Sequence, residues 1–570
     1  MRRSTSARFL SPRPFTPVLF ALLACDAASG QSALLREGDP APNAVPGQFV
    51  AVPSRPSVND SAGYACYYYA YDGVSEFSDG LYGAFDGGAP TSLRAAPGTV
   101  GGYEQLFLSP DFGLGSNSIA YQARVRPIGS SSEFGSVWLD DAIVAIAGDP
   151  VPGSTNVWNG AFRKVSITND RDPVFVGDFA DPQSASIVGS GLYRGSPPVV
   201  LYQTGVVYPN MPSPIDAQLM PSFSVYRFSQ DGNHSIVPLI IESPIGGSFV
   251  TVAVDGAGLV LDGALVVTGT PVPASLGGAG ESWSTVDVCG INGHGEYFFT
   301  GRWSGGSADS FIVRDGVVWH RDGDVVDGAE LSGEVVDGFL SEDGELAYVW
   351  NVLRPSIGVE HALFLEDELL LRRGDAVDWD GDGTLDAVTL QRFRLSSSLR
   401  IATDRAIYFV ADCDVNGTNR IAMLRIPPEN LGTNYCQAVP NSSGFAASMR
   451  ATGTLDVAQN DFRLLATDLP RNAFGYFLNS DQAGFVANPG GSTGNLCLGG
   501  SIGRFLQQVQ NSGASGVIEI QVDLTAVPRS SGTVAVAPGQ RLHFSAWFRD
   551  VAPAGGVTSN FADGLEVVFE

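Results

Sequence analysis

The stretch "ALLREGD", Ala33–Asp39, is an apolar run that ends in a Gly-Asp turn. Glycine permits the positive φ that such a turn needs, and Asp or Pro restricts the rest of its backbone. The same tail element recurs at "VAIAGDPVPG", "VVTGTPVP", "WHRDGD" and "LLRRGD", with weaker copies near Pro97 and Gly205. The chain therefore contains seven copies of an apolar strand that ends in a tight turn.

A second element, the head, alternates with the tails. Each head is a polar turn, then two residues, then a pair of mostly apolar residues that opens a strand. The heads are centred on Gly63, Asn117, Asp172, Gly232, Gly295, Gly344 and Arg405. Their centres lie 54, 55, 60, 63, 49 and 61 residues apart, which is the regularity of a repeat architecture.

The order of the two elements predicts how the repeats close. A tail comes before the first head, and the last head, which opens the strand at Tyr408-Phe409, has no tail of its own. Seven units of about fifty residues, each long enough for four strands, predict an all-β fold with a seven-bladed β-propeller over residues 31–428. Ala33–Asp39 would then complete the last blade and cover two exposed sheet edges.

The repeats resemble the secreted bacterial tandem-repeat proteins that carry an N-x-x-G-x-x-A-F motif and a "REGDPAPG"-like tail. "REGDPAPN" at Arg36–Asn43 is close to that tail, and "NGHGEYFF" keeps Asn292 and Gly295 of the head. The resemblance covers about Ala33–Pro428, although several copies depart from the motif. It implies an exported, propeller-like protein and carries no established activity.

A different β unit follows a polar linker at residues 429–444. Residues 445–570 contain short strand patterns, and the alternation in Ile518–Leu524 indicates a sheet with one buried face. This predicts a C-terminal β-sandwich. "FGYFLNS", "GFVANPGGSTGNLCLGG" and "SNFADGLEV" resemble a C-terminal module of exported proteins from planctomycete-like bacteria. That resemblance implies a disulfide between Cys436 and Cys497, and a pairing of Cys413 with Cys436 is the alternative.

The N-terminus indicates export. Four arginines precede the apolar run Phe15–Ala24, which is too short to span a bilayer, so residues 1–30 are predicted to be a signal peptide. Lipidation at Cys25 is the alternative. No later apolar run has membrane-spanning length. The net charge of −27 argues against a nucleic-acid partner, and a secreted or cell-surface location permits disulfides.

The aspartate-rich stretch "DWDGDGTLD" predicts a structural Ca²⁺ site. Oxygen ligands at alternate positions, with a glycine at the sixth, are typical of an EF-hand-type loop. The candidate ligands are Asp378, Asp380, Asp382, Thr384 and Asp386. Thr389 occupies the twelfth position in place of glutamate, which predicts weak binding. The alternative is an Asp-Gly turn that holds no ion.

No catalytic motif is present: the chain lacks GxSxG, HExxH and a P-loop. The sequence therefore favours a non-enzymatic binding or surface-structural protein, with an extracellular glycan or a cell-surface protein as partner. A propeller hydrolase or lyase acting on polysaccharide at the channel mouth is the alternative. Clustered carboxylates with a histidine at that mouth would favour the enzyme. Trp158, Trp303 and Trp379 lie in turn-rich stretches and are candidates for stacking on sugars. Packing inside a blade is the alternative and the more frequent role of such residues.

Overall fold

The computed structural model describes residues 32–570, apart from the segments 43–47, 60–62, 72–76, 86–89, 217–225, 243–247, 306–308, 355–357, 381–384, 395–397, 403–404, 428–429, 437, 443–445, 468, 471, 514–515 and 553–554. The predicted signal peptide, including Cys25, lies outside the described residues, as do Asp382 and Thr384.

The prediction of an all-β chain is confirmed. Helical structure in the described residues is confined to three short 3₁₀ turns, at Ala274–Leu276, Pro489–Gly491 and Leu506–Gln508. No helix in the described part of the chain is long and apolar enough to cross a membrane.

Within the described residues of the first three quarters of the chain, seven antiparallel sheets of four or more strands follow one another and are here numbered 1 to 7. Sheet 1 comprises Phe49–Val58, Tyr64–Tyr71, Phe77–Ala84 and Thr91–Ala96. Sheet 2 comprises Gly98–Val100, Tyr103–Leu114, Ile119–Pro127, Phe134–Leu139 and Ala142–Ile146. Sheet 3 comprises Val157–Ile167, Pro173–Ala180, Ile187–Arg194 and Val199–Gln203. Sheet 4 comprises Arg227–Phe228, Ser235–Glu242, Ser248–Val254 and Ala257–Gly258, and it is followed by the small hairpin Val260–Leu261 and Ala264–Leu265.

The remaining three sheets have the same up-and-down order. Sheet 5 comprises Ser282–Ile291, Tyr297–Ser304, Ser310–Arg314 and Val317–Arg321. Sheet 6 comprises Val325–Val326, Ala329–Leu340, Leu346–Arg354, Gly358–Leu365 and Glu368–Arg372. Sheet 7 comprises Ala376–Val377, Val388–Phe393, Arg400–Ile401, Ile407–Val415, Thr418–Ile426 and, from the start of the chain, Ser32–Arg36.

The heads and tails occupy equivalent places in every sheet. Each head turn joins two paired strands, and the strands directly before these turns are called the head strands: Phe49–Val58, Tyr103–Leu114, Val157–Ile167, Arg227–Phe228, Ser282–Ile291, Ala329–Leu340 and Arg400–Ile401. Each tail turn follows the last strand of a sheet or, for Gly269, the hairpin after sheet 4, where Val267 is bridged to Thr251 of that sheet. Six of the seven tails, all except the one near Pro97, have a glycine at the centre of the turn. These glycines have φ between 79° and 96°, where a residue with a side chain is disfavoured. The sequence repeat therefore corresponds to one sheet per unit.

The N-terminal strand belongs to the last sheet. Ser32–Arg36 pairs antiparallel with Thr418–Ile426, and Leu35 lies opposite Met423. Leu35 is 3% exposed and packs in an apolar cluster with residues of sheet 1. The pairing covers the edge of sheet 7 with a strand that lies nearly 400 residues earlier in the chain.

The core consists of successive clusters, each shared by two neighbouring sheets. One pair of residues represents each cluster. From the contact of sheets 1 and 2 round to that of sheets 7 and 1, the pairs are Leu81 with Leu108, Val137 with Phe175, Leu192 with Val237, Val252 with Phe299, Ile312 with Tyr348, Leu363 with Phe409, and Met423 with Tyr68. Because the last cluster returns to sheet 1, the series of contacts closes on itself.

The C-terminal unit consists of two sheets that enclose one core, as in a β-sandwich. One sheet contains Thr433–Tyr435, Phe474–Ser480, Gly503–Arg504, Gln510–Asn511, Arg541–Val551, Val557–Phe561 and Gly564–Val568. The other contains Ser448–Gly453, Phe462–Thr467 and Ile518–Val522. Two ribbons are formed by Ala483–Ala487 with Asn495–Leu498 and by Val527–Pro528 with Thr533–Val534. Phe462 and Ile520 pack against Phe544 and Leu565 across the core.

A disulfide joins Cys436 to Cys497 in this unit, which is the pairing that the family resemblance implies. Cys413, the alternative partner, is instead a buried free thiol within sheet 7, as Cys66 and Cys289 are in sheets 1 and 5. The alternative pairing is therefore wrong.

Candidate functional site

A cavity of about 160 Å³ lies where the head strands of six of the seven sheets approach one another. Its lining comes from residues 55–58, 110–114 and 164–167 of sheets 1 to 3, from 226–230 next to and within sheet 4, and from Phe339 and Arg400 of sheets 6 and 7. All of these segments are at the end of their strands nearest the head turns. The cavity therefore lies at the head-turn end of the assembly of sheets.

Four cationic side chains from four different sheets line this cavity: Arg55, Lys164, Arg227 and Arg400. Lys164 is the only lysine in a chain whose net charge is −27. Asp111 is the acidic residue among the described lining residues, and its carboxylate forms an ion pair with Arg55. Positive charge is thus concentrated at one place in an acidic protein.

The backbone at two of these cations is strained. Arg55 has a φ of 46° and Lys164 a φ of 56°, and each lies at a register irregularity of its head strand. Among the described residues, they are the only non-glycine residues inside a strand with positive φ. This conformation costs an L-residue about 1–2 kcal/mol, and bulges of this kind re-aim side chains beside functional sites.

Neighbouring sheets hold the strained segments in place. The Lys164 backbone N–H donates to Asp111 Oδ2 at 2.9 Å, and the Tyr226 hydroxyl donates to the Lys164 carbonyl oxygen. Because Asp111 also pairs with Arg55, one set of polar contacts runs from sheet 1 through sheets 2 and 3 to Tyr226. The geometry of Lys164 is therefore determined by its neighbours.

The side chain of Lys164 has no hydrogen-bond or ion-pair partner among the described residues. Partial burial lowers the pKa of its ammonium group; the Asp111 carboxylate opposes that shift, and the charges of Arg55 and Arg227 add to it. Burial likewise lowers the pKa of Arg400, followed by the repulsion of Arg227. Both directions report burial first, and the repulsion between neighbouring like charges adds to it.

Histidines are absent from the described lining of the cavity. His320 lies 2.9 Å from a carboxylate oxygen of Asp367, and His234 lies 2.8 Å from one of Asp255. His294 is in a head turn, where its ring contacts the carbonyl oxygen of Glu342. The described lining therefore offers no general-base histidine. In the neighbouring head turns, however, burial raises the pKa of the Glu342 and Asp343 carboxyls, and the charge of the adjacent His294 opposes that rise.

Two of the three tryptophans considered for sugar stacking are buried. Trp158 packs against Tyr193 and Phe175, and Trp303 packs against Trp283 and Phe311. Both lie within strands, so they have the packing role that the sequence offered as the alternative to stacking on sugars. Their buried rings stabilise sheets 3 and 5 and present no surface to a ligand.

The aspartate loop places three carboxylates together, since oxygens of Asp378, Asp380 and Asp386 all lie within 4.8 Å of one another. Asp386 also accepts the backbone N–H of Trp379 at 2.7 Å. The loop contacts the N-terminal strand, because Ala33 N–H donates to the Asp378 carbonyl oxygen at 3.1 Å. These are carboxylate oxygens, the ligand type that Ca²⁺ prefers. The hydrogen bond from the Trp379 N–H to the Asp386 carboxylate also occurs in ordinary aspartate turns that hold no ion.

The chain matches no protein-family profile and no curated protein sequence. Among solved structures, it is similar to a protein of unknown function from Dyadobacter fermentans, at 10% identity and a TM-score of 0.27, over 70% of this chain and 97% of that one. It is also similar to the N11 neuraminidase-like protein of A/flat-faced bat/Peru/033/2010, at 10% identity and a TM-score of 0.23, over 58% and 95% of the two chains.

A third similar structure is the acylaminoacyl peptidase of Pyrococcus horikoshii, at 11% identity and a TM-score of 0.25, over 65% of this chain and 58% of that one. All three TM-scores are too low to carry an argument about function.

Sequence reasoning missed the four cations of the cavity. Arg55, Lys164, Arg227 and Arg400 lie in unrelated local patterns and are separated by 63 to 173 residues. The one available signal was the occurrence of a single lysine, adjacent to Arg163 in a head strand of an otherwise acidic chain. That signal indicates an unusual position, but not the residues that surround it.

Proposed function

We propose that the seven sheets are the blades of a seven-bladed β-propeller, and that the chain is an exported, non-enzymatic binding or surface-structural protein. The observation that carries this proposal is the basic cavity at the head-turn end, where six head strands converge. The closed series of apolar clusters supports the propeller, since a ring of blades needs one interface between each neighbouring pair. The resemblance to secreted tandem-repeat proteins is part of the same proposal.

The chemistry of the cavity supports binding better than hydrolysis. Glycoside hydrolysis ordinarily needs two carboxyl groups that flank the scissile bond. The described lining offers Asp111, which is held by Arg55 and by the Lys164 backbone. A carboxylate tied in this way orients its neighbours and is poorly placed to transfer a proton. An extracellular glycan or a cell-surface protein is the partner that this proposal expects.

A glycan array together with a polysaccharide-hydrolysis screen tests the proposal on residues 31–570. We expect retention of one ligand class and no release of reducing sugar or unsaturated product. Turnover that is lost in Asp111→Asn would contradict the binding function and favour the hydrolase or lyase alternative. Arg124→Gln, which removes an exposed cation of sheet 2 paired with Glu133, is the control and should behave like the parent.

We also propose that the aspartate loop holds a structural Ca²⁺. Asp378, Asp380 and Asp386 supply the observed group of oxygens, and the sequence adds Asp382 and Thr384 as further ligands. The expected role is to hold the loop that joins Ala376–Val377 to Val388–Phe393 in sheet 7 against the N-terminal strand. The ion would offset the mutual repulsion of carboxylates that the loop brings together.

Calcium is expected to raise the melting temperature by a few degrees at most. At ten times Kd, an ion that binds only the folded state stabilises it by about 1.4 kcal/mol, and in a protein of this size that is a small shift. The double variant Asp378→Asn and Asp380→Asn should lose this calcium-dependent shift in differential scanning calorimetry. Asp414→Asn, in the hairpin of sheet 7, is the control. An equal calcium shift in parent and double variant would mean that the loop is only a turn.

A further inference from the structure

The head-turn cavity carries more cationic than anionic groups. Arg55, Lys164, Arg227 and Arg400 belong to the described lining; the carboxylate of Asp111 acts on Lys164, and that of the buried Asp337 acts on Arg400. Asp337 is already engaged, since it accepts the backbone N–H groups of Ser398 and Leu399 at 2.8 and 3.1 Å. Among the described lining residues, four cations thus accompany a single carboxylate, Asp111, within a protein whose overall charge is strongly negative.

The positions of two cations are built into the fold. Arg55 and Lys164 occupy strained bulges, and Asp111 and Tyr226 hold those bulges from neighbouring sheets. Such strain persists only where surrounding contacts determine the conformation, and it is concentrated at ligand-binding sites. A lysine with a purely structural role would be expected to pair with a carboxylate. The Lys164 ammonium group has no such partner among the described residues.

The lining also offers apolar surface beside the charges. Phe228 and Phe339 are half-buried rings of the cavity wall, and the Arg400 guanidinium lies 5.3 Å from the Phe339 ring centre. A bare inorganic anion would make no use of these rings, whereas the carbon skeleton of an organic acid would cover them. At about 30 Å³ per water, the cavity holds roughly five waters, or a charged group of similar size.

We propose that this cavity binds an organic oxyanion, a carboxylate or sulfate group carried on a larger extracellular molecule, with Lys164 as its principal partner. Arg227 and Arg55 supply the neighbouring charges from sheets 4 and 1. The inference rests on the proposed binding function and names the ligand class of the same site. Binding replaces the mutual repulsion of the cations with attraction to one shared group.

Isothermal titration calorimetry on residues 31–570, at constant ionic strength, tests this inference. The probes are glucuronate, its neutral counterpart glucose, inorganic sulfate and inorganic phosphate. We expect glucuronate to bind and glucose not to bind, with the two inorganic ions binding more weakly than glucuronate. Lys164→Gln should weaken glucuronate binding about tenfold or more, because it removes a charged hydrogen-bond donor. Lys164→Arg should retain most of the binding.

Lys164→Gly separates a binding role from a structural one. Glycine accepts the positive φ at this position, so the melting temperature should be maintained or raised while glucuronate binding is lost. Arg124→Gln, the exposed control in sheet 2, should bind as the parent does. A parallel loss of stability and binding in Lys164→Gly would contradict the proposal.

Other outcomes distinguish this inference from the function on which it rests. Equal binding of glucose and glucuronate, or no change in Lys164→Gln, would overturn the anion site and leave a binding protein. Tight binding of sulfate or phosphate without glucuronate would assign the cavity to an inorganic ion and overturn the organic ligand. No heat with any of the three anions at millimolar concentration would also overturn it. Product release in the hydrolysis screen would instead overturn the non-enzymatic function.

Discussion

Deletion of residues 32–39 is expected to cause a large loss of stability and aggregation at ordinary protein concentrations. The deletion removes the strand that pairs with Thr418–Ile426 and leaves the edge of sheet 7 open. An open edge offers unpaired backbone groups to other chains. The deletion also removes Leu35 from the apolar cluster shared by sheets 7 and 1. In addition, it removes the hydrogen bond that the Arg36 side chain donates to the Trp379 carbonyl oxygen.

A milder variant gives the scale of this effect. Leu35→Ala should lower the free energy of unfolding by about 2–5 kcal/mol, the usual cost of truncating a buried leucine. Val199→Ala, on an exposed position of the outer strand of sheet 3, is the matched control and should change it by about 0.5 kcal/mol or less. Chemical denaturation measures both variants, and size-exclusion chromatography measures aggregation of the deletion. A deletion variant that melts and elutes like the parent would show that the strand does not stabilise sheet 7.

Replacement of both Cys436 and Cys497 by serine is expected to destabilise the C-terminal unit by about 4 kcal/mol, the value that loop-closure entropy gives for a loop of this length. The two residues are 61 positions apart, so the bond closes a long loop of the unfolded chain. Dithiothreitol should destabilise the parent by a similar amount and leave the double variant unchanged. Cys413→Ala serves as the control, since Cys413 is a free thiol in sheet 7; it should keep the reducing-agent response.

The linkage itself is checked by mass spectrometry of a non-reduced digest. The expected product is one peptide pair that contains Cys436 and Cys497 in both the parent and Cys413→Ala. Recovery of both cysteines as free thiols, or of either one bonded to another cysteine, would refute the pairing. A double variant as stable as the parent would show that the bond is present but contributes little.

The repeat could be read from the sequence because turns are local. A head or tail needs only a few consecutive residues of suitable φ preference, such as Gly295 or Gly374. Even the fourth head at Gly232, whose strand opens with the polar Ser235, joins two paired strands in sheet 4. The N-terminal strand was also predictable, since an unmatched tail at one end and an unmatched head at the other complement each other. The disulfide, in contrast, depended on a family resemblance, because five candidate cysteines follow the predicted signal peptide.

The aspartate loop could be predicted from the sequence only in part. Its spacing predicts a group of carboxylates, and Asp378, Asp380 and Asp386 lie together. The spacing does not reveal that Asp386 also accepts the Trp379 backbone N–H, or that the loop contacts Ala33. Those contacts depend on where the N-terminal strand packs, which no local pattern encodes.

By itself, the sequence determined that this chain is all-β, where its head and tail turns lie, and which strand is left over to complete the last sheet. Those properties follow from local backbone preferences and from the order of short patterns. Only the tertiary structure decided that Arg55, Lys164, Arg227 and Arg400 line one cavity, and that two of them occupy strained strand positions. The physical reason is that a charge acts through distance in space, and strands from separate sheets become neighbours only when their apolar faces are buried against one another.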